Sequence, residues 1–222
     1  MTIKINLRRQ KMKKLILISL SLLSASFCWA QSKPHGILNL NTVNVKVDGQ
    51  VGPEEYPTNF VDSQTGIGVS WVSDGRLLYV ALQSPARGWV AIAFGNSKIR
   101  GTSMVIGYHK PGGGRVDEHV GSWVSTHKPI DKPSLVNFAT GSNPTGTVIE
   151  FAMPLTLSNG QVIVPGQPMS YVLAHHAKKT SFKGRPSKKS AGTLLLGKPE
   201  RADEMPVQTS PSADTIKKSD EK

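Results

Sequence analysis

Apolar and polar positions alternate along this chain with a period of two. IGVSWV (67–72) sets Ile67, Val69 and Trp71 against Gly68, Ser70 and Val72. That spacing predicts a strand with one face in a core. Ser73-Asp74-Gly75 then predicts a hairpin turn into a return strand, LLYVALQ (77–83). MVIGYHK (104–110), turned by PGGG (111–114) into RVDEHVGS, predicts a second hairpin. TVIEFAM (147–153), MSYVLAHH (169–176) and AGTLLLG (191–197) read as further strands. NVKVDGQVGPEEY reads as a strand, an Asp48-Gly49 turn and a loop. WVAIAF (89–94) is apolar on both faces and predicts a central strand. Its Val90, Ile92 and Phe94 are bulky, whereas Ala91 and Ala93 are small, so something must pack closely on that second face. No window of about 12 residues carries a helical period. Eight or more short strands between Gly/Pro turns predict an all-β, antiparallel, immunoglobulin-like β-sandwich.

The two ends of the chain read differently. Met12 to Ala30 has a basic start, an apolar run from Leu15 to Leu23, and small residues towards its end, the composition of a secretory signal peptide. The run is short for a membrane span. Residues 1–30 are therefore expected to be removed, with translation starting at Met1 or Met12, and the protein to be exported, periplasmic or secreted, with no transmembrane span after cleavage. The single cysteine, Cys28, falls inside that segment, which leaves the mature chain no thiol for a disulfide, a thiolate metal site or a thioether-linked haem. Residues 198–222 are rich in Pro, Ser, Asp and Lys with few large apolar residues and predict a disordered polar tail. Residues 31–197 remain as one domain around one core.

Charge narrows the partners. The formal net charge of +12 over 222 residues includes six basic residues of the first thirty; without them 21 bases face 15 acids, a net of +6. The excess has one address, KKTSFKGRPSKK, which holds Lys178, Lys179, Lys183, Arg185, Lys188 and Lys189 and no acid. A near-neutral domain with one basic loop is not a general nucleic-acid binder. The loop suits an anionic ligand, an acidic protein partner or anionic lipid, or it is a solvated hairpin without a partner.

Four pieces in this order, VDGQVGPEEY, GWVAIAFG, MVIGYHKPGGGRVDEHVGS and TVIEFAMPL, resemble the DOMON family over roughly residues 43–197. The resemblance implies a β-sandwich that binds haem b or sugars and serves in electron transfer or sensing. It also implies two axial iron ligands, a Met in the bend before MVIGY and a His in a late loop. Here the Met position falls on Ile99, and the late loop SFKGRPSKKSAG holds Lys183, Arg185, Lys188 and Lys189 but no His.

Substitute ligands stand nearby. Met104 opens the MVIGY strand, and His175 and His176 precede the basic loop. Consecutive strand residues face opposite ways, so one of these two histidines points inward. Met104 with His175 or His176 is the candidate iron pair, with a neutral loop lysine as another donor. His127, in GSWVSTHKPID, is a candidate for the pocket mouth or a loop cap. Trp89 is a candidate pocket wall; with Trp71 and Trp123 it is also a candidate sugar-stacking platform, although Trp71 and Trp89 read better as core. His109 and His119 flank the PGGG turn and are expected to be exposed.

Other chemistry is missing from the sequence. There is no His-x-x-x-His metal spacing, nucleophile elbow or phosphate-cradling loop. Glu54-Glu55 and Asp117-Glu118 are adjacent pairs, not two acids flanking a groove. The expectation is a non-catalytic, exported binding module with haem b as the implied ligand and a redox or envelope protein as a possible partner. A haem-free glycan- or protein-binding module is the alternative.

Overall fold

The computed structural model describes residues 44–123 and 126–196. The signal segment, Cys28, the two candidate start positions and the tail lie outside the described residues. Eleven strands form among those described: β1 (Thr58–Val61), β2 (Gly68–Ser73), β3 (Leu77–Gln83), β4 (Val90–Phe94), β5 (Ser103–Lys110), β6 (Gly113–Gly121), β7 (His127–Pro129), β8 (Asn137–Ser142), β9 (Thr147–Pro154), β10 (Pro168–His175) and β11 (Lys188–Leu195). They make two antiparallel sheets, ordered β1-β2-β3-β9-β8 and β11-β10-β4-β5-β6-β7. The fold is the expected all-β sandwich. Among the described residues no helix is long and apolar enough to cross a membrane.

The alternation seen in the sequence places the core. Val69, Trp71, Leu78, Val80, Leu82, Ile149, Phe151 and Met153 from the five-stranded sheet meet Val90, Ile92, Phe94, Val105, Tyr171 and Leu173 from the six-stranded one. The hairpin β2–β3 forms where Ser-Asp-Gly predicts it. Asp74 Oδ1 accepts from the Arg76 and Leu77 amides, and Gly75 takes φ 84°. β4 is central in its sheet and buried along its whole length.

The second face of β4 does not meet the other sheet. Trp89, Ala91 and Ala93 point away from the sandwich interior and pack with Ile106, Ala174, Met104 and Val172 on the outer face. The loop between β10 and β11 covers this face, with Phe182 set against Tyr108.

The outer face of the five-stranded sheet is covered too, by a segment that departs from expectation. Residues 44–47 form no strand. They and the following turn lie over Tyr79, Ala81 and Val72, with Tyr56 buried among them. Glu150 explains the departure. Its carboxylate is fully buried on β9 and accepts from the Tyr56 hydroxyl (2.7 Å) and the amides of Gly49 (2.6 Å) and Asp48 (3.2 Å). The backbone amides of the Asp48-Gly49 turn are therefore spent on a side chain rather than on a neighbouring strand. Burial pushes the Glu150 carboxyl above its usual range, and the Tyr56 and Gly49 hydrogen bonds pull it back.

A second buried carboxylate closes the other side. Glu118, 2% exposed, accepts from the hydroxyls of Ser103 and Ser158 and from both the amide and hydroxyl of Ser134. It ties β6 to the segments before β8 and after β9.

Truncating Glu150 to Ala would strand three donors under the N-terminal segment. The expected loss is about 3 kcal/mol in chemical denaturation, against about 1 kcal/mol for Tyr56→Phe, which removes one donor.

Candidate functional site

Two concave regions on the outer face of the six-stranded sheet are built from β4, β5, β6, β7 and β10 with the 98–101 bend and the β10–β11 loop. The register aligns Val172, Ala93, Met104, His119 and Pro129 in one row across β10, β4, β5, β6 and β7. The next row holds Ala174, Ala91, Ile106 and Asp117. Small alanines leave a flat floor, and the 177–187 loop lies across it.

Under the loop is a cavity of about 40 Å³ lined by Trp89, Ala91, Ala93, Ile99, Met104 and His127, with Gly184 and Pro186 as its roof. Ile99 reaches it because the 98–101 bend packs on the end of β6. Arg100 bridges to Gly121, the Gly101 amide donates to the Gly121 carbonyl, and a Cβ on Gly121 would overlap the Ile99 carbonyl. The two positions marked by the family resemblance, the Ile99 bend and the late loop, thus face one another over Met104. Beside the cavity an open groove of about 370 Å³ runs past Tyr108, Arg115, His119, Phe182 and Lys183.

Phe182 separates the two regions. Its ring meets His119 edge-on at 5.4 Å and Tyr108 at 5.4 Å, with the Arg115 guanidinium 5.6 Å away. Arg115 is itself fixed by Asp117, with Nε donating at 2.8 Å and Nη2 at 2.6 Å from the carboxylate oxygens. The roots of the loop are fixed by main chain. The Trp89 amide donates to the Lys179 carbonyl, the His176 amide to Trp89, and the Ser187 amide to His175. Gly88 permits this approach, since a Cβ there would overlap the His176 carbonyl.

His119 is not exposed as the sequence suggested; it is 4% exposed. The adjacent PGGG turn predicts solvent, but the covering loop comes from far along the chain. Its Nδ1 lies 2.8 Å from the Nδ1 of His127, one of the two donating, while its Nε2 sits 3.7 Å from Asp117, beyond hydrogen-bond length. Burial lowers the pKa of both rings, and His127 lowers that of His119 further, so the pair is held neutral. His109 is half-buried, with Nδ1 3.0 Å from the Thr140 hydroxyl.

The sequence-predicted site residues divide. Met104, Trp89 and His127 are brought together around one cavity. His175 is 5% exposed and lies on the inner face with Tyr171 and Leu173, as the alternation predicts, but it is not the solvated strand end also considered for it. His176 lies just past β10, its Nδ1 accepting from the Lys178 and Lys179 amides, and its ring faces Trp89 at 6.2 Å. It caps a turn. The basic run is dispersed: Lys183 lines the groove, Lys178 points to a different cleft, and Lys188 and Lys189 are exposed on β11, an edge strand. Edge lysines discourage pairing with a second sheet. The three-tryptophan platform does not assemble. Trp71 and Trp89 are buried, and Trp123 stands 60% exposed beside Arg100.

A six-coordinate haem of the kind the family resemblance implies needs two donors on opposite faces of one planar ring. The residues present do not fit this in the arrangement described. Met104 pairs with Ala93, whereas His176 is bonded at Trp89, four residues back along β4, about 13 Å away. His175 is on the other side of the sheet. Met104 and His127 share the cavity; His119, across from Met104 on β6 and against the His127 ring, does not line it. The cavity of about 40 Å³ compares with roughly 300–1,000 Å³ for small-molecule sites. Among the described residues no group of three His, Cys, Asp or Glu side chains is placed to hold a metal ion.

The neutral histidines set a pH dependence. His119, His127 and His175 all have folded pKa values below the usual 6.5, each chiefly through burial. The unfolded chain then binds more protons below that value, so stability is full above about 6.5 and falls as the pH drops through it. Thermal denaturation is expected to show Tm declining from neutral to mildly acidic pH, and His119→Phe to flatten the decline.

No family model matches this chain, and no curated protein matches it. Among solved structures it is similar to the cytochrome b domain of pyranose dehydrogenase from Coprinopsis cinerea, at 15% identity and a TM-score of 0.51, covering 61% of this chain and 80% of that one. Weaker likenesses are a family 9 carbohydrate-binding module from Caldicellulosiruptor kristjanssonii in complex with cellotriose (15% identity, TM-score 0.45, 81% and 100% covered) and the cytochrome domain of Myriococcum thermophilum cellobiose dehydrogenase (11% identity, TM-score 0.42, 63% and 88% covered). The two-sheet topology and the likeness to the pyranose dehydrogenase domain agree: this chain has the β-sandwich fold of that cytochrome b domain.

Proposed function

We propose that the protein is an exported, non-catalytic binding module of DOMON-type architecture that works without haem. The observation that carries this reading is the size of the cavity that Met104 and His127 share, about 40 Å³ with Gly184 and Pro186 over it, against roughly 300–1,000 Å³ for small-molecule sites. Ile99, which offers an alkyl group, occupies the position where the family resemblance implies a ligand. Export is supported by the basic start, apolar run and small residues of Met12–Ala30.

A second reading has one observation in its favour. Met104 and the half-buried His127 line the same cavity, and a neutral imidazole is the form of histidine that binds iron. Lifting Phe182 and its loop would join that cavity to the neighbouring groove.

Haem titration of the exported protein, followed by dithionite reduction, separates the two. The expected spectrum lacks the sharp reduced α and β bands of a six-coordinate haem. Appearance of those bands, and their loss in both Met104→Ala and His127→Ala, would overturn the haem-free reading in favour of the second.

A further inference from the structure

The largest cleft described is not on the sheet face but at one end of the sandwich. It has a volume of about 420 Å³ and is formed by four separate connections. Arg87 comes from the β3–β4 loop, Lys110 from the β5–β6 hairpin, Ser142 and Asn143 from the β8–β9 turn, and Lys178 from the β10–β11 loop. No carboxylate and no Phe, Tyr or Trp ring lines it; its one aromatic ring is the imidazole of His109, half-buried with Nδ1 3.0 Å from the Thr140 hydroxyl. The ion pairs formed by the described residues are Lys46–Asp48, Arg115–Asp117 and the long His119–Asp117 contact, so among the described residues no acid neutralises the three cleft cations.

The roots of these cations are fixed although their tips are solvated. Lys178 follows the turn capped by His176 Nδ1. Lys110 leads into the Gly112-Gly113 turn, whose φ values of 89° and 127° suit glycine, and the hairpin leans on β8 where a Cβ on Gly114 would overlap Thr140. Arg87 sits between Ala86, whose carbonyl accepts from the Thr147 amide, and Gly88, whose carbonyl accepts from the Thr147 hydroxyl. Asn143 Oδ1 accepts from the Thr145 amide and hydroxyl and the Gly146 amide, which leaves its Nδ2 as a donor. Like charges held together in a concave site focus a positive potential there. The surrounding hydroxyl and amide groups suit a ligand that carries its own hydroxyls, and the cleft offers no Phe, Tyr or Trp face for a neutral sugar to stack on.

The geometry points to this end cleft as a binding site for an acidic oligosaccharide, one carrying carboxylate or sulfate groups among its hydroxyls. This deepens the binding-module reading and rests on it only in that the protein acts by binding. The site shares no residue with the cavity around Met104 and His127, so the haem spectrum tests one idea and oligosaccharide binding the other.

Isothermal titration of the full chain with a galacturonate trisaccharide and a heparin-derived tetrasaccharide, with cellotriose and inorganic sulfate as comparisons, tests it. At least one acidic oligosaccharide is expected to bind, more weakly as salt rises, with cellotriose and inorganic sulfate each far weaker; which acidic probe binds assigns carboxylate or sulfate. Arg87→Gln and Lys110→Gln should each weaken binding about tenfold, the size of one lost charge-assisted hydrogen bond. Both side chains are exposed, so an unchanged Tm checks that the fold is intact. Lys188→Gln removes a charge of the same basic run outside the cleft and should leave affinity unchanged. Absence of binding by both acidic probes, cellotriose or inorganic sulfate binding as tightly, or an equal loss in Lys188→Gln would overturn the assignment.

Discussion

A strand buried on both faces dictates this structure. A two-layer sandwich buries one face of each sheet, yet β4 carries apolar residues on both, and leaving Trp89, Ile106, Met104 and Val172 in water would forfeit roughly 1.5–3 kcal/mol for each large side chain. A further layer must therefore cover the six-stranded sheet, and the 177–187 loop supplies it through Phe182, Gly184 and Pro186. The five-stranded sheet meets the same demand with the segment around Tyr56, held by the Glu150 carboxylate.

These two covers differ in kind. The N-terminal cover is tied by a fully buried carboxylate that satisfies three donors. Its removal strands polar groups, so it is a fixed part of the fold. The loop cover is tied at its roots by main chain, but its middle rests on ring contacts and one guanidinium. Beneath it lie neutral histidines, a thioether and a small cavity. The cavity on this face is therefore covered, while open, charged concavities lie beside Phe182 and at the sandwich end, where four connections meet.

Much of the fold was legible because burial imposes a period of two. The β2–β3 hairpin, the central β4, and β5, β6, β9 and β10 fall within a residue or two of where alternation places them; β11 begins three residues earlier. β1, β7 and β8 were not legible. TNFV is four residues long, HKP three, and NFATGS is polar and largely exposed, so none carries a burial pattern. NVKV was misread because its valines alternate like a strand while the Gly49 and Asp48 amides go to Glu150 instead of a ladder. His119 was misread because the residues that bury it are remote in sequence. Met104, Trp89 and His127 were legible as members of one pocket; His176 was not legible as a turn cap, since its partners are amides rather than side chains.

By itself the sequence determined the all-β class, the identity of the central strand, and the demand for close packing over Ala91 and Ala93. These follow from local alternation and residue size. Only the tertiary structure decided what covers those alanines, that His119 is buried against His127, and that Arg87, Lys110 and Lys178 share one cleft. Each depends on which distant segments the sheet register brings side by side, and alternation along one strand carries no information about its neighbours.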